Sequence, residues 1–318
     1  MFEYREVLYR QRWETRWSVR NKTNGLWEAP PFGIPANWGG HHEYAGFVHT
    51  LVGHGGMIDE TEFGAHPEWF AEVDGKRDQG QLCLSHPAVF ARVIDSVRSR
   101  LRKNPLATIV SVSQNDNHVY CRCPACRAVD RREGSPAGSL LRFVNAVAAA
   151  IEKEFPHVAV DTLAYLYSRK PPRHARPRRN VIVRVCTFEC DFLHPLSHAN
   201  NRALFRDLRG WSRICKRLYI WDYVVNYAHF VMPHPNWYVL ADNVRLFRAN
   251  GVRGVFEQAD NSSPGGEFAE LRAWVIAKLM WDPDRDIHAL IGEFLAGYYG
   301  KAAPHLEQYM RLIHTAAG

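Results

Sequence analysis

The sequence predicts an α/β protein, a (β/α)8 TIM-type barrel with extra C-terminal helices. Three observations carry that prediction. Six segments end alike, with a run of β-branched and aromatic residues stopping at a carboxylate or amide and a helix-like stretch following. The clearest are ATIVSVSQND (Ala107 to Asp116), VIVRVCTFECD (Val181 to Asp191), RLYIWDY (Arg217 to Tyr223) and GVRGVFEQ (Gly251 to Gln258). Strand and helix patterns alternate along the chain, which implies parallel β-α-β units. Eight such units can be counted in 318 residues, and one barrel of about 250 residues plus an appendage fits that length. The count favours a closed barrel over an open sheet, with the barrel at residues 1–283 and a helical extension at 284–318.

The elements follow in order. Phe2 to Leu8 reads as the first strand, and a basic, Trp-containing stretch runs on to Arg20. Asn21 to Tyr44 is rich in Gly, Pro and Asn, so it is a loop, and a loop this long in a compact domain is usually functional. Ala45 to Val52 reads as the second strand, with His49 near its end, and Gly80 to Ser85 as the third. Pro87 opens a helix to about Lys103, with Val89, Val93, Val97 and Leu101 on one face. Ala107 to Ser113 is the fourth strand. After a cysteine cluster comes a helix with Ser139 as N-cap and Leu140, Phe143, Val144, Val147 and Ile151 at helical spacing.

Val158 to Tyr167 and Val181 to Phe188 make the fifth and sixth strands, and a helix covers Asn201 to Cys215. Arg217 to Tyr223 is the seventh strand, Asn236 to Asn250 a helix, and Arg253 to Gln258 the eighth strand. A turn at Pro264 to Gly266 precedes a helix from Glu267 to Met280. Two last helical segments, Ile287 to Tyr299 and Pro304 to Thr315, lie outside the eight-fold count and are expected to pack on the exterior.

Composition removes several function classes. The formal charge of +7 is spread widely. Its densest run, Arg169 to Arg179, lacks the aromatic interleaving of a base-stacking surface, so it reads as a solvated loop and not a nucleic-acid site. No apolar run approaches the ~18 residues of a membrane span, and the N-terminus lacks the apolar core of a signal peptide. The opening FEYREV already reads as a strand, as at the cut edge of a longer protein. No dinucleotide fingerprint, phosphate-binding loop, zincin motif or serine elbow occurs, and no cofactor is expected.

Seven cysteines leave the redox compartment open. Cys121, Cys123 and Cys126 form Cys-x-Cys-x-x-Cys, tight enough for a thiolate metal cluster with His118 as a fourth ligand, and compatible also with a local disulfide or, foremost, with free thiols. Cys186 and Cys215 read as buried, which leaves Cys190 as the thiol nearest the proposed mouth.

In such a barrel the C-terminal strand ends converge on one mouth, where active sites sit. A carboxylate deep in a strand buried on both faces costs several kcal/mol unless paired, whereas one at the strand end reaches the mouth. Asp116, Glu189, Asp191, Asp222 and Glu257 are therefore the catalytic candidates. Glu189 and Asp191, at i and i+2, would share a face if their strand stays regular. Around them stand His49, Gln114, Asn115, Asn117, Tyr165, Tyr167, Trp221, Tyr223, Asn226, His229 and Gln258. Amides meet hydroxyls and aromatic faces meet sugar rings, so this set suits an oligosaccharide or glycan. Glycoside hydrolysis needs a proton donor and a second group that attacks, activates water or orients a substrate acetamide. Asp116 or Glu257 is the expected acid, with a partner from strand six or seven, and retention and inversion both stay open. A barrel that binds glycans without cleaving them is the alternative.

The succession HGGMIDETEFGAHPEWFAEVDGKR, LCLSHPAV, SVSQND with CRCPAC, TLAYLYSRKPP, RVCTFECDF, RLYIWDYVVNYAHF, GVFEQ and AKLMWDP with FLAGYYG resembles domain of unknown function 4838, a family associated with glycoside hydrolase family 163. The resemblance runs from about Phe2 to Gly300. It implies a (β/α)8 catalytic domain and endo-β-N-acetylglucosaminidase action on N-glycans, with retention through the substrate's acetamide. It also implies an upstream domain and an export signal, hence a secreted or periplasmic location, and a shortened chain would lack part of its cleft. More distantly the chain is similar to the α-glucuronidases of glycoside hydrolase family 67. That similarity places Asp116, Asp191 and Asp222 at the acid and carboxylate positions of strands four, six and seven.

Overall fold

The computed structural model describes residues 1–25, 33–263 and 265–317. Part of the predicted Asn21 to Tyr44 loop, residues 26–32, and Pro264 of the predicted turn lie outside the described residues. In chain order the elements are β1 (Tyr4–Leu8), α1 (Thr15–Arg20), β2 (Phe70–Val73), β3 (Lys76–Leu82), α2 (Pro87–Lys103), β4 (Ile109–Ser111), α3 (Pro124–Glu133), α4 (Ala137–Ile151) and β5 (Ala159–Ala164). Then come β6 (Val181–Cys186), α5 (Arg202–Ile214), β7 (Leu218–Tyr223), α6 (Trp237–Ala249), β8 (Val252–Gln258), α7 (Ala269–Trp281), α8 (Ile287–Tyr299) and α9 (Ala303–Ala317).

Six strands form one parallel sheet in the order β1-β8-β7-β6-β5-β4. The sheet curls into a half-barrel. Strand alternation separates its two faces, because side chains at i and i+2 share a side. Val7, Val110, Val160, Val183, Ile220 and Val255 pack outward against the helices. Tyr4, Ile109, Ala159, Ile182, Tyr219 and Phe256 turn inward, joined by Tyr44. The inner face is tight enough that a Cβ at Gly254 would stand 2.6 Å from the Tyr219 ring.

The inner face also holds an ion pair that periodicity alone does not disclose. Arg184 Nη2 lies 3.1 Å from Asp161 Oδ2, with both side chains 1% exposed. The rings of Tyr4, Tyr44, Phe47, Tyr219, Trp221 and Phe256 surround the guanidinium at 5.1–5.9 Å. Tyr44 hydrogen-bonds the same guanidinium. Burial raises the Asp161 pKa while the adjacent Arg184 charge pulls it back.

The predicted eight-strand closure gives way to this half-barrel because two of the predicted units are something else. Ala45 to Val52 is not a strand. Gly46 and His49 have φ of +87° and +53°, left-handed turns that interrupt an extended run, and Gly53 follows at +136°. The region meets the sheet at one isolated bridge, Tyr44 with Ile109. Gly80 to Ser85 supplies part of β3, which pairs antiparallel with β2 in a separate hairpin. Asp74 and Gly75, both at positive φ, turn that hairpin, and an Asp-Gly pair is the usual signal for such a turn. Ser139 lies inside α4 and not at its cap, its hydroxyl donating to Asp130 Oδ1 at 2.6 Å.

The helices predicted from periodicity are present, and α3 between the cysteine cluster and α4 is an addition to them. In α2, Pro87 stands at the start, the His86 ring accepts from Ala88 N, and Val89, Val93, Val97 and Leu101 are buried. At the C-terminus α8 and α9 pack against α6 and α7, with Trp237 N donating to His314 Nε2 at 3.1 Å. Among the described residues, no helix is long and apolar enough to cross a membrane. Three cations of the Arg169 to Arg179 run are paired locally, Arg178 and Arg179 with Glu152 and Arg169 with Glu189 and Asp207.

Candidate functional site

The carboxyl ends of β5 to β8 open onto a cleft of about 190 Å³ lined by His49, Asp116, Leu163, Tyr165, Cys186, Phe188, Trp221, Tyr223 and Gln258. Cys186, Trp221, Tyr223 and Gln258 reach it because they continue the inward-facing series of Arg184, Tyr219 and Phe256. Asp116 arrives from the loop after β4 and Tyr165 from the end of β5. The Tyr165 hydroxyl donates to Asp116 Oδ1 at 2.8 Å. Burial, then that bond to the carboxylate, pushes the Tyr165 pKa up. The phenol therefore stays protonated and keeps donating.

The rest of the rim is aromatic. Phe188 packs edge-on to Tyr165 and to Tyr223, with centroids at 5.8 and 6.1 Å, and Tyr223 stacks beside Trp221. Trp221 Nε1 donates to Gln258 Oε1 at 2.6 Å, which fixes the amide and leaves its NH₂ for a ligand. His49 Nδ1 donates to Gln114 O at 2.7 Å. The left-handed backbone at His49 is sterically costly for a residue with a Cβ, and here it coincides with a ring placed at the cleft wall.

The other predicted carboxylates lie elsewhere. Asp222 and Glu257 are neighbours in the β7–β8 register, offset by one residue from inward-facing Trp221, Tyr223, Phe256 and Gln258, so they face the helix layer. Asp222 is 4% exposed and Glu257 2% exposed. Thr187 Oγ1 donates to Asp222 Oδ1, while Glu257 Oε2 has no hydrogen-bond partner among the described residues. Burial lifts the Asp222 pKa to about 6. Glu257 is raised well above the carboxylate range by burial and then by the Asp222 charge. The expectation that they reach the mouth fails on side-chain direction.

β6 ends at Cys186, so Glu189 and Asp191 sit in irregular backbone and do not share a strand face. Glu189 pairs with Arg169. Asp191 accepts from His194 Nδ1 at 2.8 Å, Asn200 Nδ2 at 2.7 Å and Leu193 N at 3.1 Å, and holds its loop together.

Among the predicted ligand-binding groups, His49, Tyr165, Trp221, Tyr223 and Gln258 line the cleft. Gln114 is buried behind it, its Nε2 donating to Ser168 Oγ at 2.7 Å. Asn115 and Asn117 tie the loop to β3, with Gln81 Nε2 donating to Asn115 O and Asn117 Oδ1, both at 3.0 Å. Tyr167 stacks on Tyr120 and lines a different pocket beside the cysteines. Asn226 and His229 accept from Ala228 N and Met232 N within their own loop. Phe188, Cys186 and Leu163 complete the cleft and were absent from the predicted set. Extending the i, i+2 series of β6 past Arg184 points to Cys186 and Phe188.

The residues suited to a metal lie outside the cleft. Cys83 joins Cys121, Cys123 and Cys126, whereas His118, the predicted fourth ligand, is exposed and not in the group.

A family model described as "Domain of unknown function (DUF4838)" matches residues 1–311. No curated protein matches the sequence. Among solved structures, a β-N-acetylhexosaminidase from Bacteroides fragilis NCTC 9343 aligns at TM-score 0.50 and 12% identity, over 96% of this chain and 71% of that one. A GH5-4 broad specificity endoglucanase from an uncultured bacterium aligns at TM-score 0.39 and 12% identity, over 75% of this chain and 70% of that one.

Proposed function

We propose that this chain, which belongs to the DUF4838 family, is a glycoside hydrolase acting on β-linked N-acetylhexosamine in glycans, with Asp116 as its general acid. The observation that carries the reading is the Asp116–Tyr165 pair at the edge of an aromatic cleft at the strand ends. Aromatic faces at Trp221, Tyr223 and Phe188 suit sugar rings, and the Gln258 amide and His49 ring suit their hydroxyls. The fold likeness to a β-N-acetylhexosaminidase agrees with this reading.

The lining of the cleft includes one carboxylate. A two-carboxylate scheme needs a second beside the anomeric carbon, and Glu189, Asp191, Asp222 and Glu257 are paired or turned elsewhere. A substrate with a 2-acetamido group supplies that nucleophile itself. Its carbonyl oxygen attacks the anomeric carbon while the acid protonates the leaving oxygen. Water, deprotonated by the same carboxylate, then opens the cyclic intermediate with net retention. Tyr165 holds the carboxylate in one orientation, and the endo-acting specificity for N-glycans implied by the family resemblance fits a cleft open at its rim.

The test compares release from a β-N-acetylglucosaminide, the matching β-glucoside and a panel of N-glycans. Release confined to acetamido substrates, blocked by a thiazoline analogue of the cyclic intermediate, supports the reading. Equal turnover of the glucoside contradicts it, and binding with no release at any pH identifies a glycan-binding module instead.

A further inference from the structure

We propose that Cys83, Cys121, Cys123 and Cys126 bind one Zn²⁺ as a structural tetrathiolate site that clamps the β2–β3 hairpin to the loop carrying Asp116. The site is independent of whether the cleft hydrolyses anything. The four sulfurs all lie within 4.8 Å of one another. A tetrahedral site with Zn–S of about 2.3 Å requires sulfurs about 3.8 Å apart. Cys83 Sγ and Cys123 Sγ stand at 3.7 Å, which matches that edge and is far beyond a disulfide of about 2.05 Å. All four cysteines are free and buried.

Their surroundings fit thiolate ligands. Glu72 N donates to Cys121 Sγ at 3.3 Å, and Ser85 Oγ lies 3.1 Å from Cys126 Sγ, the contacts that orient metal-bound sulfur. Ala71 and Val119 shield the group from water. Three ligands come from one short run entering α3, with Cys123 at its N-cap, and the fourth from the chain after β3.

The architecture gives such a site a task. Among the described residues the hairpin shares no strand pairing with the main sheet. The loop between β4 and α3 has no regular structure, yet it carries Asp116 to the cleft. Gln81 holds the middle of this loop through Asn115 and Asn117, and the cysteine group holds its far end. Hydrogen bonds and metal together fix where Asp116 stands.

The experiment uses the full chain, purified in reducing buffer without added metal, with zinc measured by elemental mass spectrometry. The expected result is about one zinc per chain, with the four thiols unreactive toward a thiol reagent until a chelator is added. Cobalt substitution should give the visible spectrum of a tetrahedral tetrathiolate. Cys83→Ser should lower zinc content and melting temperature together, whereas His118→Ala should keep the metal. Folded wild-type protein without metal and with freely reactive thiols would overturn the proposal. So would a mass showing disulfides among these cysteines, or loss of zinc in His118→Ala.

Discussion

Asp222 and Glu257 stand opposite one another on β7 and β8, and both turn away from the cleft into the layer beneath the helices. Two carboxyl groups this buried destabilise the fold when they ionise. Asp222, raised by burial to about 6 from the ordinary carboxylate range, binds its proton more tightly in the folded state. Its contribution is therefore fully present below about pH 4 and is lost as pH rises through about 6, about 3 kcal/mol in all by the linkage relation. Glu257, raised further, extends the decline to higher pH. Denaturant unfolding followed across this range should show that slope, and Asp222→Asn should flatten its lower part. An unchanged slope in the variant contradicts the assignment.

The aromatic rim predicts a separation of binding from chemistry. Phe188, 46% exposed, contacts Tyr165 and Tyr223 and no buried core. Phe188→Ala should raise KM several-fold with kcat little changed, since it removes a sugar platform used equally in ground and transition states. A fall in kcat at constant KM runs against this role.

The Arg184–Asp161 pair predicts asymmetric damage. Arg184→Met leaves Asp161 buried without its cation and should cost about 3–5 kcal/mol of stability, measured by chemical denaturation. Adding Asp161→Leu should recover much of the loss. Additive losses in the double variant contradict the account.

Much of this was legible in the sequence, and the exceptions have physical reasons. Six parallel strands and the helices after them follow from hydrophobic periodicity. The Ala45 to Val52 region looked extended by composition, but left-handed backbone at Gly46 and His49 breaks it, and nothing in the apolar pattern shows a φ angle. The Asp74-Gly75 turn was a readable signal for the hairpin. At the site, residue type and position put a strand-end carboxylate at the mouth, yet direction depends on parity. Counting alternate residues from Tyr219 separates Trp221 and Tyr223 from Asp222, and the same count from Phe256 separates Gln258 from Glu257. That count needs one inward-facing residue as its anchor, which composition does not supply. Cys83 was invisible as a metal ligand because it lies far along the chain from its companions.

The Tyr165 hydroxyl predicts a tuning effect on Asp116. Tyr165→Phe removes the 2.8 Å hydrogen bond without emptying the ring's place. The variant should fold normally and lose roughly 10-fold in kcat, as expected for one hydrogen bond of about 1.4 kcal/mol. An unaltered rate in the folded variant contradicts a positioning role for the Tyr165 hydroxyl.

The most direct test sets Asp116→Asn beside Glu257→Gln in one assay on a β-N-acetylglucosaminide-containing glycan, with folding checked by melting temperature. The account predicts that Asp116→Asn loses roughly 10²-fold or more of kcat/KM while staying folded, and that Glu257→Gln keeps near wild-type turnover. A folded Glu257→Gln variant without activity, beside a fully active Asp116→Asn, would contradict the claim that the chemistry lies on the cleft face.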